Sequence, residues 1–409
     1  MSIQLSVRIP TVAPTVMVLG SERLGVGRLW PYAGPTRLYS LLPYVTRVTT
    51  YEGHRNDTPT LPVEPGSLSC TLRDAPDLAA LGLKRHTPIV LYDENGVLWS
   101  GWIDRIRDEW DKETDTKTTE ITAYDLATVL GGVTRYGATV AETVEDRLTN
   151  LAGSAPVPIT AQVDDRMGDP AAADAPCIAT ARETSLLNHF QMTAAAAGGF
   201  LRIQSELNLE NSTIQVRRPD QWWRIGTPPF LVNVKPWDLL QVTDQPGSLD
   251  SYYTVALSTP DETPTRLKLV SHGIDGSGNS ATSEYEHVND SAELFYRAKS
   301  TSVDTVAPPA ALPALAAGFA PAPGYTQQVA EISTTARLRK TGGQLGTTPA
   351  PGGVRLRTLD TAAVTYRGQT YLSLITAIRH ELTSDPYSDG SDIRDGIRHR
   401  TTYTLTPRS

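Results

Sequence analysis

Residues 88–103 read PIVLYDENGVLWSGWI, a stretch that leaves the chain little conformational choice. Two apolar runs flank Asn95-Gly96, a pair that reaches the positive φ angles of a tight turn, so the runs are expected to form an antiparallel hairpin. Further strands surround it. YVTRVTTYEG (44–53) alternates, and PGSLSCTL (65–72) sets Leu68, Cys70 and Leu72 on one face against Ser67, Ser69 and Thr71 on the other. DKETDT (111–116) is a second turn. KTTEITAYD (117–125) then pairs back, with Ile121 and Ala123 inward and Thr118, Glu120, Thr122 and Tyr124 outward. PDLAALGL (76–83) is a helical turn or two. Four or five strands with short turns imply a small antiparallel barrel or sandwich, which Gly 31 and Pro 30 also favour.

The strand after the hairpin turn holds three of the seven Trp. Alternation places Trp99, Gly101 and Ile103 on one face and Trp102, Asp104, Ile106, Asp108 and Trp110 on the other. Both faces carry large apolar groups, so both are expected to be covered, one by the strand's own core and one by something else. Gly101 leaves room for another backbone or ring. Trp99, Gly101, Trp102 and Trp110 are therefore the interface candidates.

The middle of the chain changes period. TVAETVEDRLTNLAG (139–153) carries a capping box, Thr139 and Glu142, then Val140, Val144, Leu148 and Leu151 at helical spacing. TARETSLLNHFQMTAAAAGG (180–199) repeats this with Thr180 and Glu183, a face of Leu186, Phe190, Ala194 and Ala197, and a Gly198-Gly199 stop. FLRIQSEL and STIQVRRP form a hairpin. Strands resume in 230–244, YYTVALS and RLKLVSHG. Five Pro in 305–325 forbid a continuous helix and favour an extended connection. The end is again β, with Leu372, Leu374, Ile378 and Leu382 on one face.

At 409 residues, two to four domains are expected. The division is an N-terminal arm (1–40), a first β-barrel domain (41–138), an α/β domain (139–225), a β-rich domain (226–304), an Ala/Pro-rich linker (305–325) and the last β-barrel elements (326–409). The fold class is a multidomain β-rich α+β protein, with two small antiparallel β-barrel domains flanking a helix-containing middle.

Templates for chemistry fail. GSERLGVGR (20–28) has Val26 and Gly27 where a phosphate loop needs Lys and Ser or Thr. DPYSDGSDIRDG (385–396) has Tyr387 and Gly396 at calcium-ligand positions. The seven His show no metal spacing, and two Cys make neither a zinc set nor a disulfide framework. SHGIDGSGNS (271–280) keeps Ser, His and Asp in one glycine loop, whereas triads draw on separate rigid elements. Carboxylates at Asp104, Asp108, Asp111 or Asp164-Asp165 leave a glycosidase pair open, and Trp222-Trp223 a sugar-stacking patch. No cofactor, metal or catalytic residue is assigned. A net charge of −8 argues against a phosphate-gripping surface. TVAPTVMVLG (11–20) is too short for a signal peptide and is broken by Pro14. No apolar run of about 20 residues suggests a membrane span.

The order of these pieces resembles the tail hub, or baseplate hub, proteins of long-tailed bacteriophages, a minor tail protein family of siphophages. PGSLSCTL, the short turn, the LWSGWI strand and the TEITAYDLATVL strand-to-helix run resemble its first barrel. ETSLLNHFQMTAAAAGGFLRIQ and the following hairpin resemble its middle, and VTYRGQTYLSLITAIRHELT with RHRTTYTLTP its closing hairpin. The resemblance covers about half the chain. It implies a non-enzymatic homotrimer at the virion tail tip, assembled in the bacterial host cytoplasm. Two barrels per chain would adapt a sixfold tube to a threefold tip. Implied partners are the distal tail protein and tail tube, the tape measure protein and other tail-tip or receptor-binding proteins. Genomic DNA would pass without specific binding, helped by acidic walls. Family members often carry a C-terminal hydrolase extension, for which this chain, ending at Ser409, leaves no room. A hexameric distal tail protein, a tail-associated wall hydrolase and a glycan-binding tip protein remain the alternatives.

Overall fold

The computed structural model describes residues 3–10, 36–55, 60–93, 96–163, 173–204, 212–217, 239–243, 254–258, 266–288, 300–319, 328–334, 357–384 and 397–407. The N-terminal region supplies β1 (Gln4–Pro10), β2 (Thr36–Ser40), β3 (Val45–His54), β4 (Val63–Arg73), β5 (Pro88–Asp93), β6 (Gly96–Asp111) and β7 (Thr116–Tyr124). In β4, Leu68, Cys70 and Leu72 are buried and Ser67 and Ser69 exposed, as alternation predicts. The β5–β6 turn is displaced by one residue from the expected Asn95-Gly96. Asp93 pairs with Gly96 because a bulge at Leu91/Tyr92 shifts the register. The linking Glu94 and Asn95 lie outside the described residues. PDLAALGL is a single turn that buries Leu78 and Leu83, closed by Leu83 N–H donating to Leu78 O at 2.9 Å.

The middle holds α1 (Leu126–Gly131), β8 (Thr134–Arg135), β9 (Glu142–Thr143), α2 (Val144–Gly153), β10 (Thr160–Val163), β11 (Pro176–Cys177), β12 (Thr184–Ser185), α3 (Leu186–Ala196), β13 (Phe200–Gln204) and β14 (Thr213–Arg217). The side chains of Asp125, Thr143 and Ser185 cap the three helices, accepting from the N–H of Thr128, Asp146 and Asn188. The expected boxes at Thr139/Glu142 and Thr180/Glu183 are not used. Thr139 and Thr180 instead bridge each other through both backbones, and Glu142 joins the short β9–β11 pairing. Both helices therefore start later, and Val140 is left exposed. The remaining apolar faces are buried as expected. Gly198, at φ 68°, ends α3 with its N–H on Ala195 O.

The rest comprises β15 (Leu239–Thr243), β16 (Thr254–Ser258), β17 (Arg266–Ile274), β18 (Ser280–Val288), β19 (Ser300–Thr305), α4 (Leu312–Phe319), β20 (Gln328–Thr334), β21 (Thr361–Tyr366), β22 (Gln369–Ser384) and β23 (Ile397–Pro407). Helix α4 corrects the extended connection expected for 305–325. Pro309 opens a 3-10 turn, and Pro313 sits in the first turn of α4, where a missing N–H costs nothing. Leu312, Ala316 and Phe319 are buried, and Phe319 meets Phe200 with ring centroids 6.2 Å apart. Residues 320–325 lie outside the described residues.

Strand pairing makes one thirteen-stranded sheet, in the order β16-β20-β23-β22-β3-β4-β7-β6-β5-β1-β2, with β21 on β22 and β15 on β21. The join is β3 with β22, from Arg47↔Thr383 to Gly53↔Ala377, so the two ends of the chain form one continuous surface. Smaller sheets, β10-β14-β13 and β18-β17-β19, pack with the helices. Three apolar cores result: one in the N-terminal strands, one around the helices and one in the C-terminal strands. The expected single face on β22 is split by a bulge at Ile375/Ala377. Leu374 packs in the helical core, Ile378 with Ile375 in the C-terminal core, and Leu382 in the N-terminal core. The Leu372 side chain is outside the description. The chain is a β-rich α+β protein of several sheets.

Candidate functional site

Strand β6 is a wall between two cores. Trp99, 1% exposed, packs with Ile103 in the N-terminal core. Trp102, 2% exposed, faces the other way into the helical core that also holds Leu126 and Leu187. The second cover anticipated for this strand is thus the chain's own middle region, and neither indole is available to another chain. A bulge between Ile103 and Arg105 then turns Ile106 onto the Ile103 side, correcting the face assigned to it. Gly101 does admit a close approach, from within the chain. An added Cβ would lie 2.5 Å from Cη2 of Trp99 and 2.8 Å from the Tyr124 carbonyl carbon.

Trp110 is the candidate left at the surface, 64% exposed near the β6–β7 turn. Its indole N–H donates to Asp115 at 3.2 Å. Asp111 organises the turn by accepting from Glu113 N–H at 2.8 Å, and hydrogen bonds from the Thr114 side chain and the Glu113 N–H hold its carboxyl below the usual range.

A buried polar knot lies where the three regions meet. Residues 200–204 bring Arg202 in from β13, and the segment ahead of β21 brings Asp360; both are almost fully buried and 3.5 Å apart. Asp360 also accepts from Arg357 N–H at 2.8 Å. His54, at the end of β3, donates from Nε2 to the Leu201 carbonyl at 2.7 Å. Burial pushes its pKa down to about 4, and the Arg202 cation adds to this, while hydrogen bonds to the backbone of Leu201 and Thr376 oppose it. A second buried pair, Arg147 with Glu142, ties α2 to β9; Arg147 also donates to Val140 O and Ile178 O. Apart from Glu142, which the sequence reading assigned to a helix cap, these residues carried no role in that reading. Arg202 shares a strand face with the apolar Phe200, a clue only once burial of that face is known.

The carboxylates weighed for catalysis are separately engaged. Asp104 pairs with Arg85 at 2.9 Å, Asp108 with Lys117 at 3.3 Å, and Asp111 holds its turn. His272 lies on β17 against Asp304 at 2.8 Å, while its neighbour Ser271 donates to Ala307 O, so the two point apart. Asp304 also pairs with Arg182; these two partners hold its carboxyl below the usual range against the opposing effect of burial. Among the described residues no cluster of three or more His, Cys, Asp or Glu could hold a metal, and no helix is long and apolar enough to cross a membrane. Asp164-Asp165, Trp222-Trp223 and the loops 20–28 and 385–396 lie outside the described residues.

No protein-family profile matches the sequence, and no curated relative does. Solved structures do. A tail protein from Neisseria meningitidis MC58 superposes with a TM-score of 0.55 at 12% identity, over 99% of this chain and 96% of its own. This chain has the fold of a tail protein. The 43 kDa tail protein of prophage MuSo2 from Shewanella oneidensis agrees, at TM-score 0.54 and 11% identity over 91% of this chain and 96% of its own. The likeness runs through the N-terminal strands, the helical middle and the C-terminal strands together.

Proposed function

We propose that this chain is a structural component of a phage tail tip, a homotrimeric hub that continues the tail tube and adapts its sixfold symmetry to a threefold tip. The observation that carries this reading is the match of nearly the whole chain, end to end, to tail proteins. The single sheet built from both termini supports it. Each chain offers two β units side by side, so three chains would present six barrel-like units to a tube. The distal tail protein, tail tube and tape measure protein are its partners on this reading, with receptor-binding proteins further out. DNA passes through a lumen whose carboxylates repel phosphate, in keeping with the net charge of −8. The chain is not an enzyme, and of the four interface candidates Trp110 is the one that can reach a neighbour. The test is the mass of the purified protein by light scattering, followed by imaging of intact tails. A threefold assembly is expected. A hexameric ring would assign the chain to the distal tail position, and a stable monomer that clears cell walls would restore Asp104, Asp108 and Asp164 as catalytic candidates.

A further inference from the structure

We propose that the β6–β7 tip of one copy, Trp110 with its surrounding carboxylates, docks against Arg135, Tyr136 and Val140 of a second copy. The contact rests on the trimeric reading above and specifies its geometry. Among the described residues five large apolar side chains are exposed, and three of them are Trp110, Tyr136 and Val140. They form two distinct patches. Tyr136 and Val140, 72% and 69% exposed, lie in the segment between β8 and β9. Arg135, at the end of β8, has its Nη1 buried with no hydrogen-bond partner, and among the described residues no salt bridge includes it. Glu142 is near enough to influence it but is committed to Arg147 and Asn150. Arg135 as a whole is only half-buried, and a guanidinium without an ion-pair partner gains from a carboxylate arriving at its exposed part.

The other patch supplies the complement. Residues 108–117 hold five carboxylates against two Lys. Asp108 and Glu109 are paired within their own arm, with Lys117 and Arg107, while Glu113 makes no ion pair among the described residues. The Asp115 contact fixes the Trp110 indole, so little side-chain freedom is lost on docking. Trp, Tyr and Arg are the residue types that dominate interface energetics. Two different patches on one chain make a heterologous contact, which closes into a ring when the rotation per copy is right.

The experiment replaces Trp110 with the photo-crosslinking residue p-benzoylphenylalanine in the full chain and irradiates a mixture of nitrogen-isotope-labelled and unlabelled copies. Mixed-isotope peptides joining position 110 to residues 134–142 are expected. Trp110→Ala and Arg135→Gln should each move the monomer–trimer midpoint about tenfold or more to higher concentration. Trp110 lies at the surface, so its Ala variant keeps the fold and separates assembly from stability. A trimer that keeps its midpoint in both variants and crosslinks elsewhere overturns this contact and leaves the hub reading standing. A chain that is monomeric in solution and carries no such crosslink on intact tails overturns both.

Discussion

Gly101→Ala tests the description of β6 most directly. The glycine has no room for a methyl group: its Cβ would sit 2.5 Å from Trp99 Cη2 and 2.8 Å from the Tyr124 carbonyl carbon, with the carbonyl oxygen nearer still. Comfortable carbon–carbon contact begins at about 3.5 Å, so β6 and β7 would have to part by roughly 1 Å. Trp99 cannot yield, because it is 1% exposed and packed in the N-terminal core. Overpacking of this kind costs about 1–3 kcal/mol, and the upper end applies where the obstacle is paired backbone. For a cooperative unit of about 150–250 residues, 3 kcal/mol lowers the melting temperature by roughly 6–12 °C. Calorimetry of the two proteins, with Trp fluorescence to follow the β6 region, reads the effect. Gly153→Ala is the control, since an added Cβ there meets nothing within 4 Å and should leave melting unchanged or slightly raised. A Gly101→Ala protein that melts within about 1 °C of the parent refutes the strand spacing and the placement of Trp99.

Asp360→Asn removes the carboxylate paired with buried Arg202 and is expected to cost about 3–5 kcal/mol, whereas Arg202→Met with Asp360→Leu should recover most of it. Equal urea midpoints for the single and double variants would show that the pair does not lock the regions together. His54 has a folded pKa of about 4, below its ordinary value, so its contribution is complete above roughly pH 6.5 and is lost as the pH falls towards 4, to a limit of about 3 kcal/mol. Urea midpoints should therefore drop between pH 7 and pH 5, less steeply in His54→Gln, and a His54 ring titrating near 6.5 by NMR would contradict its burial. Thr143→Ala removes the α2 cap and should cost about 1 kcal/mol, read as a lower denaturation midpoint; no change would return the helix start to Thr139.

Local patterning made much of this fold readable. The serines and apolar residues of β4 separate by face without knowledge of any partner, because a one-residue slip would bury the wrong set. The Gly198 stop and the α3 face are equally local. What sequence missed depends on partners distant in the chain. Thr139 and Thr143 are both good caps, and only the bridge to Thr180, distant in the same chain, takes the first out of use. Bulges in β6 and β22 reverse the side-chain parity at Asp104 and Thr376, and no residue type there announces them. Pro-rich 305–319 reads as extended by composition, yet two of its Pro stand in first turns where the helix tolerates them.

The candidate interface shows the same limit in a sharper form. Alternation identifies β6 as a strand with two apolar faces, and burial on both sides follows from that. Periodicity carries no information on whether the second cover comes from the same chain. Here it does, for Trp99 and Trp102, because β7 leads straight into α1 and lays the helical core against the outer face of β6. Beyond Ile106, which still packs against the N-terminal core, the bulge after Ile103 and the end of the β5 pairing at Trp102 leave the hairpin tip outside both cores. Trp110 stands at that tip, where its indole is largely exposed among the described residues. An aromatic side chain fixed by its own hydrogen bond at such a position is a better guide to assembly than the buried pair that first drew attention to the strand.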